Sequence, residues 1–186
     1  MLDDGQLRAL DRYAELLTTK GRSLGLLSAA DVPKVWERHI FDGLRGAAFI
    51  PDHARMTVDL GSGGGVPGVL VSIARPDVTV VLAEERRGRA AFLELVVEVL
   101  GLTNAGVSFG PVQRLDGPFD VAFARAFADP LTSWEMAARL LGPSGTLLYW
   151  AGVSLDVSQI AGIDHQIHPA SPALADAGPI VIMSRQ

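Results

Sequence analysis

Leu7, Leu10, Ala14 and Leu17 recur at spacings of three and four, the interval that stacks side chains on one face of a helix. Acidic residues stand ahead of them, so a capped helix is expected from Asp3 to about Lys20. A turn-like stretch over residues 20–29 separates it from a second helix, with Asp31 as N-cap, Pro33 in the first turn and an end near Leu44. At about 100° per residue, Val32, Val35, Trp36, Ile40 and Leu44 form an apolar arc that includes His39. Lys34, Arg38 and Arg45 align on another face as a basic stripe, and Asp42 lies on the border. The stripe reads either as a solvated face or as a ridge that contacts phosphates. His39 reads either as a core histidine or as a pocket residue held by Asp42, three positions on.

From Met56 the pattern changes to alternating strands and helices. Met56–Leu60 is a short strand, 61–68 a turn and 69–74 a short helix. A β-branched strand over 78–83 ends at Glu84, and Arg87–Leu100 is a helix that buries Phe92, Leu93, Val96 and Leu100. Strands over 105–109 and 119–124 follow, then a helix from Pro130 to Leu141 closed by Gly142-Pro143, then a strand over 145–151. The segments 164–169 and 179–185 have no room for a helix between them, so an antiparallel hairpin is expected. The fold class is therefore α/β, with a mostly parallel, doubly wound, seven-stranded sheet, right-handed crossovers and an antiparallel last strand. This divides the chain into an N-terminal helical extension, residues 1–50, and a core, residues 51–186.

Composition narrows the classes. With 48% hydrophobic and 20% charged residues among 186, the chain is globular and not disordered. No apolar run approaches the ~18 residues that span a bilayer. The acidic N-terminus lacks an apolar signal core, so a cytoplasmic protein without a membrane partner is expected. The absence of cysteine removes disulfides, thiol catalysis and thiolate zinc sites, and the four histidines lack ligand spacing, so no metal is expected. The net charge is −5, so any nucleic-acid site must be a local basic patch. A monomer is expected.

The strongest chemical signal is the run from Asp59 to Gly68, which lies between a strand and a helix. Gly61, Gly63 and Gly65 permit a tight turn and let backbone N–H groups approach a ligand, and Pro67 suits the first turn of the helix. Glu84 ends the next strand 19 residues after Gly65, about the spacing at which a carboxylate meets ribose hydroxyls, and Glu85 adjoins it. Gly63-x-Gly65-x-x-Gly68 also satisfies the dinucleotide fingerprint, so a nicotinamide cofactor is an alternative. Two features favour S-adenosylmethionine (SAM). The rest of the chain leaves little room for a dehydrogenase's substrate domain, and Asp59 is placed to meet the methionine ammonium group directly or through water. The expected fold is the Rossmann-like class I SAM-dependent methyltransferase.

Four segments together resemble one family, the bacterial 16S ribosomal RNA guanine-N7 methyltransferases known as GidB. Arg38-His39-Ile40-Phe41-Asp42-Gly43-Leu44 resembles its Arg-His-x-x-Asp-Ser-Leu segment, and residues 59–68 resemble its Asp-x-Gly-Ser-Gly-x-Gly-x-Pro-Gly loop. Arg89-x-x-Phe92-Leu93 resembles its Lys-Arg-x-x-Phe-Leu segment; Phe119-Asp120 and Arg125-Ala126-Phe127-Ala128 resemble its Phe-Asp and Arg-Ala-x-Ala segment. The chain departs from the family at Gly25-Leu26-Leu27 for Asn-Leu-Thr, at Gly88 for a lysine, at Gly110-Pro111-Val112-Gln113 for Gly-Arg-x-Glu, and at Trp150-Ala151-Gly152 for Leu-Lys-Gly.

The resemblance implies SAM held by Asp59, Gly61, Ser62, Gly63, Gly65, Pro67, Glu84, Glu85 and Arg125, with Val112 and Gln113 contributing largely through backbone. It also implies 16S rRNA or the small ribosomal subunit as partner, and His39, Asp42 and Arg125 in the pocket that receives the guanine. N7 carries a lone pair and no proton, so the enzyme has chiefly to align reactants. Arg125 is expected to hold a phosphate or base edge, or alternatively to pair with an acid such as Asp59. Arg86, Arg87 and Arg89 are expected to join Lys34, Arg38 and Arg45 in a basic rim. Trp150, at the mouth where the family has lysine, is expected to offer a stacking surface. The alternatives are another RNA or a small molecule as substrate, or a SAM-binding protein without catalysis.

Overall fold

A computed structural model of the chain describes residues 1–174 and 176–186. Helix α1 (Asp4–Thr19) starts on a capping box: the Asp3 carboxylate accepts the Gln6 N–H, and the Gln6 side chain accepts the Asp3 N–H. It buries Leu10, Tyr13, Ala14, Leu16 and Leu17, whereas Leu7 in its first turns stays exposed.

The second helical stretch departs from a regular α-helix. A 3-10 turn (Val32–Lys34) leads into a π-helical segment (Trp36–Phe41), one α turn, α2 (Asp42–Leu44), and a second 3-10 turn (Arg45–Phe49). Asp31 does not cap it. Its carboxylate accepts from the Ser28 N–H and hydroxyl and closes the preceding turn instead. A π-helix joins residues five apart, so Val35 and Ile40 turn to the core together and His39 is only half-buried.

Seven strands form one sheet: β1 (Met56–Leu60), β2 (Thr79–Glu84), β3 (Ala105–Phe109), β4 (Phe119–Arg125), β5 (Leu141–Trp150), β6 (Asp164–His168) and β7 (Ile180–Ser184). Their order is β3-β2-β1-β4-β5-β7-β6. The first five are parallel, and β7 runs antiparallel to both β5 and β6. Val58, Leu60, Val80, Leu82, Val121, Phe123 and Leu147 are fully buried, as a sheet covered on both faces requires. The covering helices are α3 (Gly68–Ala74), α4 (Arg87–Leu100) and α5 (Pro130–Leu140). Strand β5 begins earlier than its sequence suggests. Leu141 pairs with Phe119 and Thr146 with Val121, so Gly142-Pro143-Ser144-Gly145 is a bulge inside the strand.

The first 50 residues share a core with the α/β part: Leu10, Tyr13, Leu17 and Ile40 cluster with Leu70, Phe92, Leu93 and Phe123. Helix α1 also reaches the turn before α3 and the last residues of α3. The Tyr13 hydroxyl donates to the Gly64 carbonyl at 2.7 Å, and Gln6 Nε2 donates to the Ile73 carbonyl at 2.7 Å. The strand order reverses between β1 and β4, and a doubly wound sheet opens a crevice at the carboxyl ends of the strands there.

Candidate active site

The turn from β1 to α3 is built on glycines in left-handed conformations: φ is +63° at Gly61, +55° at Gly63 and +94° at Gly65. The turn is also crowded. A Cβ at Gly61 would stand 2.7 Å from the Phe127 ring, and one at Gly65 would stand 2.4 Å from Val69. Asp59 is sealed beneath it at 1% exposure, where its carboxylate accepts the Gly68 N–H in the first turn of α3, 3.0 Å away. Burial pushes its pKa up to about 7. The Ser62 hydroxyl donates to the Asp59 carbonyl, and Pro67 stands at the N-cap of α3, one residue before its first turn.

Glu84 ends β2, nearly buried, with its two oxygens accepting the Gly63 N–H at 2.9 Å and the Arg86 N–H at 2.8 Å. A cavity of about 310 Å³ opens beside it. Gly61, Glu84, Glu85, Val112 and Gln113 line this cavity, together with Gly110, Ala126, Phe127, Arg86 and Arg89. Asp59, Ser62, Gly63, Gly65 and Pro67 lie outside its lining, where Asp59 and Ser62 brace the turn, and Arg125, also expected to hold SAM, lines the other cavity instead.

A second cavity, of about 650 Å³, is lined by Lys34, Glu37, Arg38, Asp42, Arg125, Ala126 and Trp150, with Asp176 and Gly178 from the β6–β7 connection. Ala126 belongs to both linings. Its φ of +54° is a left-handed conformation that costs a residue with a Cβ about 1–3 kcal/mol.

Asp42 is the hub of this second cavity. At 6% exposure it accepts from Arg45 Nη1 at 2.8 Å through Oδ1 and from Arg125 Nε at 3.2 Å through Oδ2. Arg125 also donates to the Arg38 carbonyl at 2.8 Å, so its acidic partner is Asp42 and not Asp59. Asp42 does not hold His39: its oxygens bond Arg45 and Arg125, and neither bonds the imidazole. The His39 Nε2 is buried without a hydrogen-bond partner among the described residues, and His39 is off the cavity lining. Burial first, and the Arg125 charge second, lower its pKa to about 4, which keeps the imidazole neutral.

The basic stripe and rim divide. Arg45 turns inward and donates to the Gly178 carbonyl at 2.9 Å as well as to Asp42, so it is a buried tie and not an exposed cation. Lys34 and Arg38 stay on the larger cavity, Arg86 and Arg89 on the smaller one, and Arg87 lies 5.9 Å over the Phe109 ring. Trp150 is not a stacking surface. As the last residue of β5 it is paired to Arg125 on one side and Ile180 on the other, and the residue is 6% exposed. The ring packs where a Cβ at Gly46 would stand 2.3 Å away, meets Phe123 edge-on, and its N–H donates to the Asp42 carbonyl at 3.0 Å. Where Trp150-Ala151-Gly152 stands for Leu-Lys-Gly, the family's lysine falls at Ala151, which also lines the larger cavity, and not at Trp150. Sequence reasoning also missed Tyr13 and Asp176. Tyr13 was legible as a polar-tipped residue inside the apolar stripe of α1, but Asp176 carries no local signal.

A family model described as GidB, rRNA small subunit methyltransferase G, matches residues 6–162. The chain is 37% identical over 167 residues to a Ribosomal RNA small subunit methyltransferase G of Acidothermus cellulolyticus, covering 90% of this chain and 71% of the relative. Relatives of the same name are 40% identical over 149 residues in Mycobacterium avium and 32% over 177 in Acidiphilium cryptum. This chain spans 60% of the first of these and 82% of the second, which in turn cover 77% and 93% of this chain. Among solved structures, a SAM dependent methyltransferase from Aquifex aeolicus superposes with a TM-score of 0.64 at 16% identity, over 83% of this chain and 94% of that one. M. jannaschii TYW2 in complex with AdoMet does so with a TM-score of 0.58 at 12% identity, over 81% and 78%. The glycine turn, the buried acid at the end of β2 and the cavity between them thus stand in a Rossmann-like methyltransferase sheet, and the chain belongs to the GidB family, a family of SAM-dependent methyltransferases.

Proposed function

We propose that this protein transfers the methyl group of SAM to N7 of a guanine in 16S rRNA of the small ribosomal subunit. One observation carries the reading: two cavities of different character meet at Ala126, at the carboxyl ends of β2 and β4. In-line methyl transfer needs the reacting atoms in direct contact, about 3–3.5 Å apart, so the donor and acceptor sites have to adjoin and open to each other.

The smaller cavity fits SAM. Each Glu84 oxygen accepts one backbone N–H and keeps a lone pair for a ribose hydroxyl. Val112, on a 3-10 turn after β3, and Gln113 border the adenosine side, while Asp59 acts on the ammonium group from beneath the loop through its charge. SAM supplies the sulfonium-activated methyl group. The larger cavity receives the base, with Asp42 and Arg125 in its wall. Guanine N7 loses no proton on attack, so no general base is required. That agrees with an Asp42 carboxylate tied to two arginines and a His39 set back from the cavity. The base must leave its stack to enter, which is cheapest in a single-stranded or loop segment.

The test is methyl transfer from labelled SAM to 30S particles, deproteinised 16S rRNA and a small-molecule extract, with the product nucleosides separated. The expected product is N7-methylguanosine from 30S particles or 16S rRNA, and its loss in parallel with SAM affinity in Glu84→Ala, whose binding should weaken by about 1.5–3 kcal/mol. Label in the small-molecule extract alone, or in a different nucleoside, overturns the reading.

A further inference from the structure

Asp176, on the connection between β6 and β7, reaches into the larger cavity. Its Oδ2 lies 3.4 Å from Lys34 Nζ and 4.0 Å from Arg38 Nε, and all three side chains line the cavity. A single anionic oxygen between an ammonium and the edge of a guanidinium is what an RNA phosphate oxygen presents to two cations. Arg38 is fixed independently, because its Nη1 binds the Asp31 carboxylate at 2.7 Å. Its Nε edge is therefore held toward the cavity whichever anion stands there.

Asp42 and Asp176, the two carboxylates that line this cavity and pair with its cations, differ in kind. The Asp42 pairs with Arg45 and Arg125 are buried, but the Lys34 and Asp176 side chains are 57% and 56% exposed. An exposed pair is screened by water and weak, so another anion replaces it readily. We propose that Lys34 and Arg38 form a phosphate subsite for the RNA backbone beside the target guanine, and that Asp176 occupies it as an internal phosphate mimic until RNA displaces it. This rests on the RNA reading above. It also accounts for cations in an acidic chain whose net charge is −5: they are neutralised until a polyanion whose base fits the cavity competes for them.

The experiment measures binding of a fluorescein-labelled, guanine-containing single-stranded RNA to the SAM-loaded protein, alongside initial methylation rates on 30S particles. The variants are Asp176→Asn, the double variant Lys34→Met with Arg38→Met, and all three changes together. Glu37→Gln is the charge control, since Glu37 lines the same cavity without an ion pair among the described residues. The expected result is that Asp176→Asn tightens RNA binding about three- to tenfold, the size of two exposed ion pairs that no longer have to be broken. KM for 30S particles should fall with kcat unchanged. The gain should vanish in the Lys34→Met, Arg38→Met background, and Glu37→Gln should give clearly less. If Glu37→Gln gives the same gain, or if the gain survives without the two cations, long-range repulsion is the cause and the subsite is refuted while the methyltransferase reading stands. If 30S particles are never methylated yet the Asp176 gain on short RNA depends on Lys34 and Arg38, the subsite stands and the rRNA reading falls. If no variant binds the RNA, the subsite falls, and the rRNA reading falls with it only when 30S particles are not methylated either.

Discussion

At the scale of single residues, Asp59 shows how position and partners separate. Its place two residues before Gly61 is visible in the sequence, but its burial beneath the loop is not, because the seal comes from Leu82 and from the α3 N-terminus packed on it. Burial holds its pKa near 7 in the folded chain against an ordinary 3.8, so the folded state binds more protons than the unfolded state between those values. The stabilisation is complete below about pH 4 and is lost as pH rises through 7. Asp59→Asn keeps an acceptor for the Gly68 N–H without the charge. Urea unfolding of the SAM-free proteins should therefore give similar stabilities near pH 4 and a variant that becomes progressively more stable than the parent up to about pH 7, by at most a few kcal/mol. The variant should nevertheless bind SAM more weakly at pH 8, having no carboxylate to face the ammonium group. Parallel stability curves for the two proteins from pH 5 to 8 would show that Asp59 does not titrate in this range. The same limit on legibility explains His39 and Trp150. Asp42 is three residues from His39, yet its oxygens are taken by Arg45 and by Arg125, 83 positions away, and Trp150 donates to an Asp42 carbonyl 108 positions away.

At the scale of elements, most boundaries follow from local chemistry. Arg87–Leu100 and Ala105–Phe109 fall where the apolar period and the flanking residues put them, and the closing hairpin follows from a connection too short for a helix. The π-helical segment is different. An i→i+5 turn leaves no mark in a pattern read at 3.6 residues, so the arc drawn through Val32, Trp36 and His39 misplaces the histidine. Nor does amphipathicity reveal that α1 props the glycine turn after β1. The Tyr13 phenol is fully buried, burial pushes its pKa up, and it stays protonated to donate to the Gly64 carbonyl. Tyr13→Phe leaves that carbonyl without its donor while changing little of the packing. It should cost about 1–2 kcal/mol in urea unfolding and weaken SAM binding several-fold by calorimetry, since Gly64 lies between two left-handed glycines of the loop. A stability loss with unchanged SAM affinity would confine the role of α1 to the core.

At the scale of the whole molecule, the larger cavity is where three distant parts of the chain meet. Asp42 comes from the N-terminal helical stretch, Arg125 from the end of β4, and Gly178 from the β6–β7 connection, and Arg45 links the first to the last by donating to both Asp42 and Gly178. The crevice itself was legible, because alternating strands and helices fix a doubly wound sheet and the reversal of strand order fixes where it opens. The inward turn of Arg45 was not. On a regular helix it shares a face with Lys34 and Arg38, and only the assembled fold gives it a buried carboxylate and a carbonyl to bind. The two kinds of cation should respond to the same substitution with very different losses of stability. Arg45→Met keeps most of the side-chain volume but leaves Asp42 buried with one partner fewer, and breaking a buried pair from one side costs about 3–5 kcal/mol. Lys34→Met removes an exposed pair with Asp176 and should change stability by no more than about 0.5 kcal/mol. Urea unfolding of both variants beside the parent chain measures the contrast directly, and calorimetry should find SAM affinity unchanged in Lys34→Met. Because the Asp42 hub also fixes Arg125, Arg45→Met should raise KM for 30S particles at temperatures where it remains folded. Equal and small effects of the two substitutions on stability would mean that Arg45 is a surface cation after all, and that the meeting of the three segments does not depend on it.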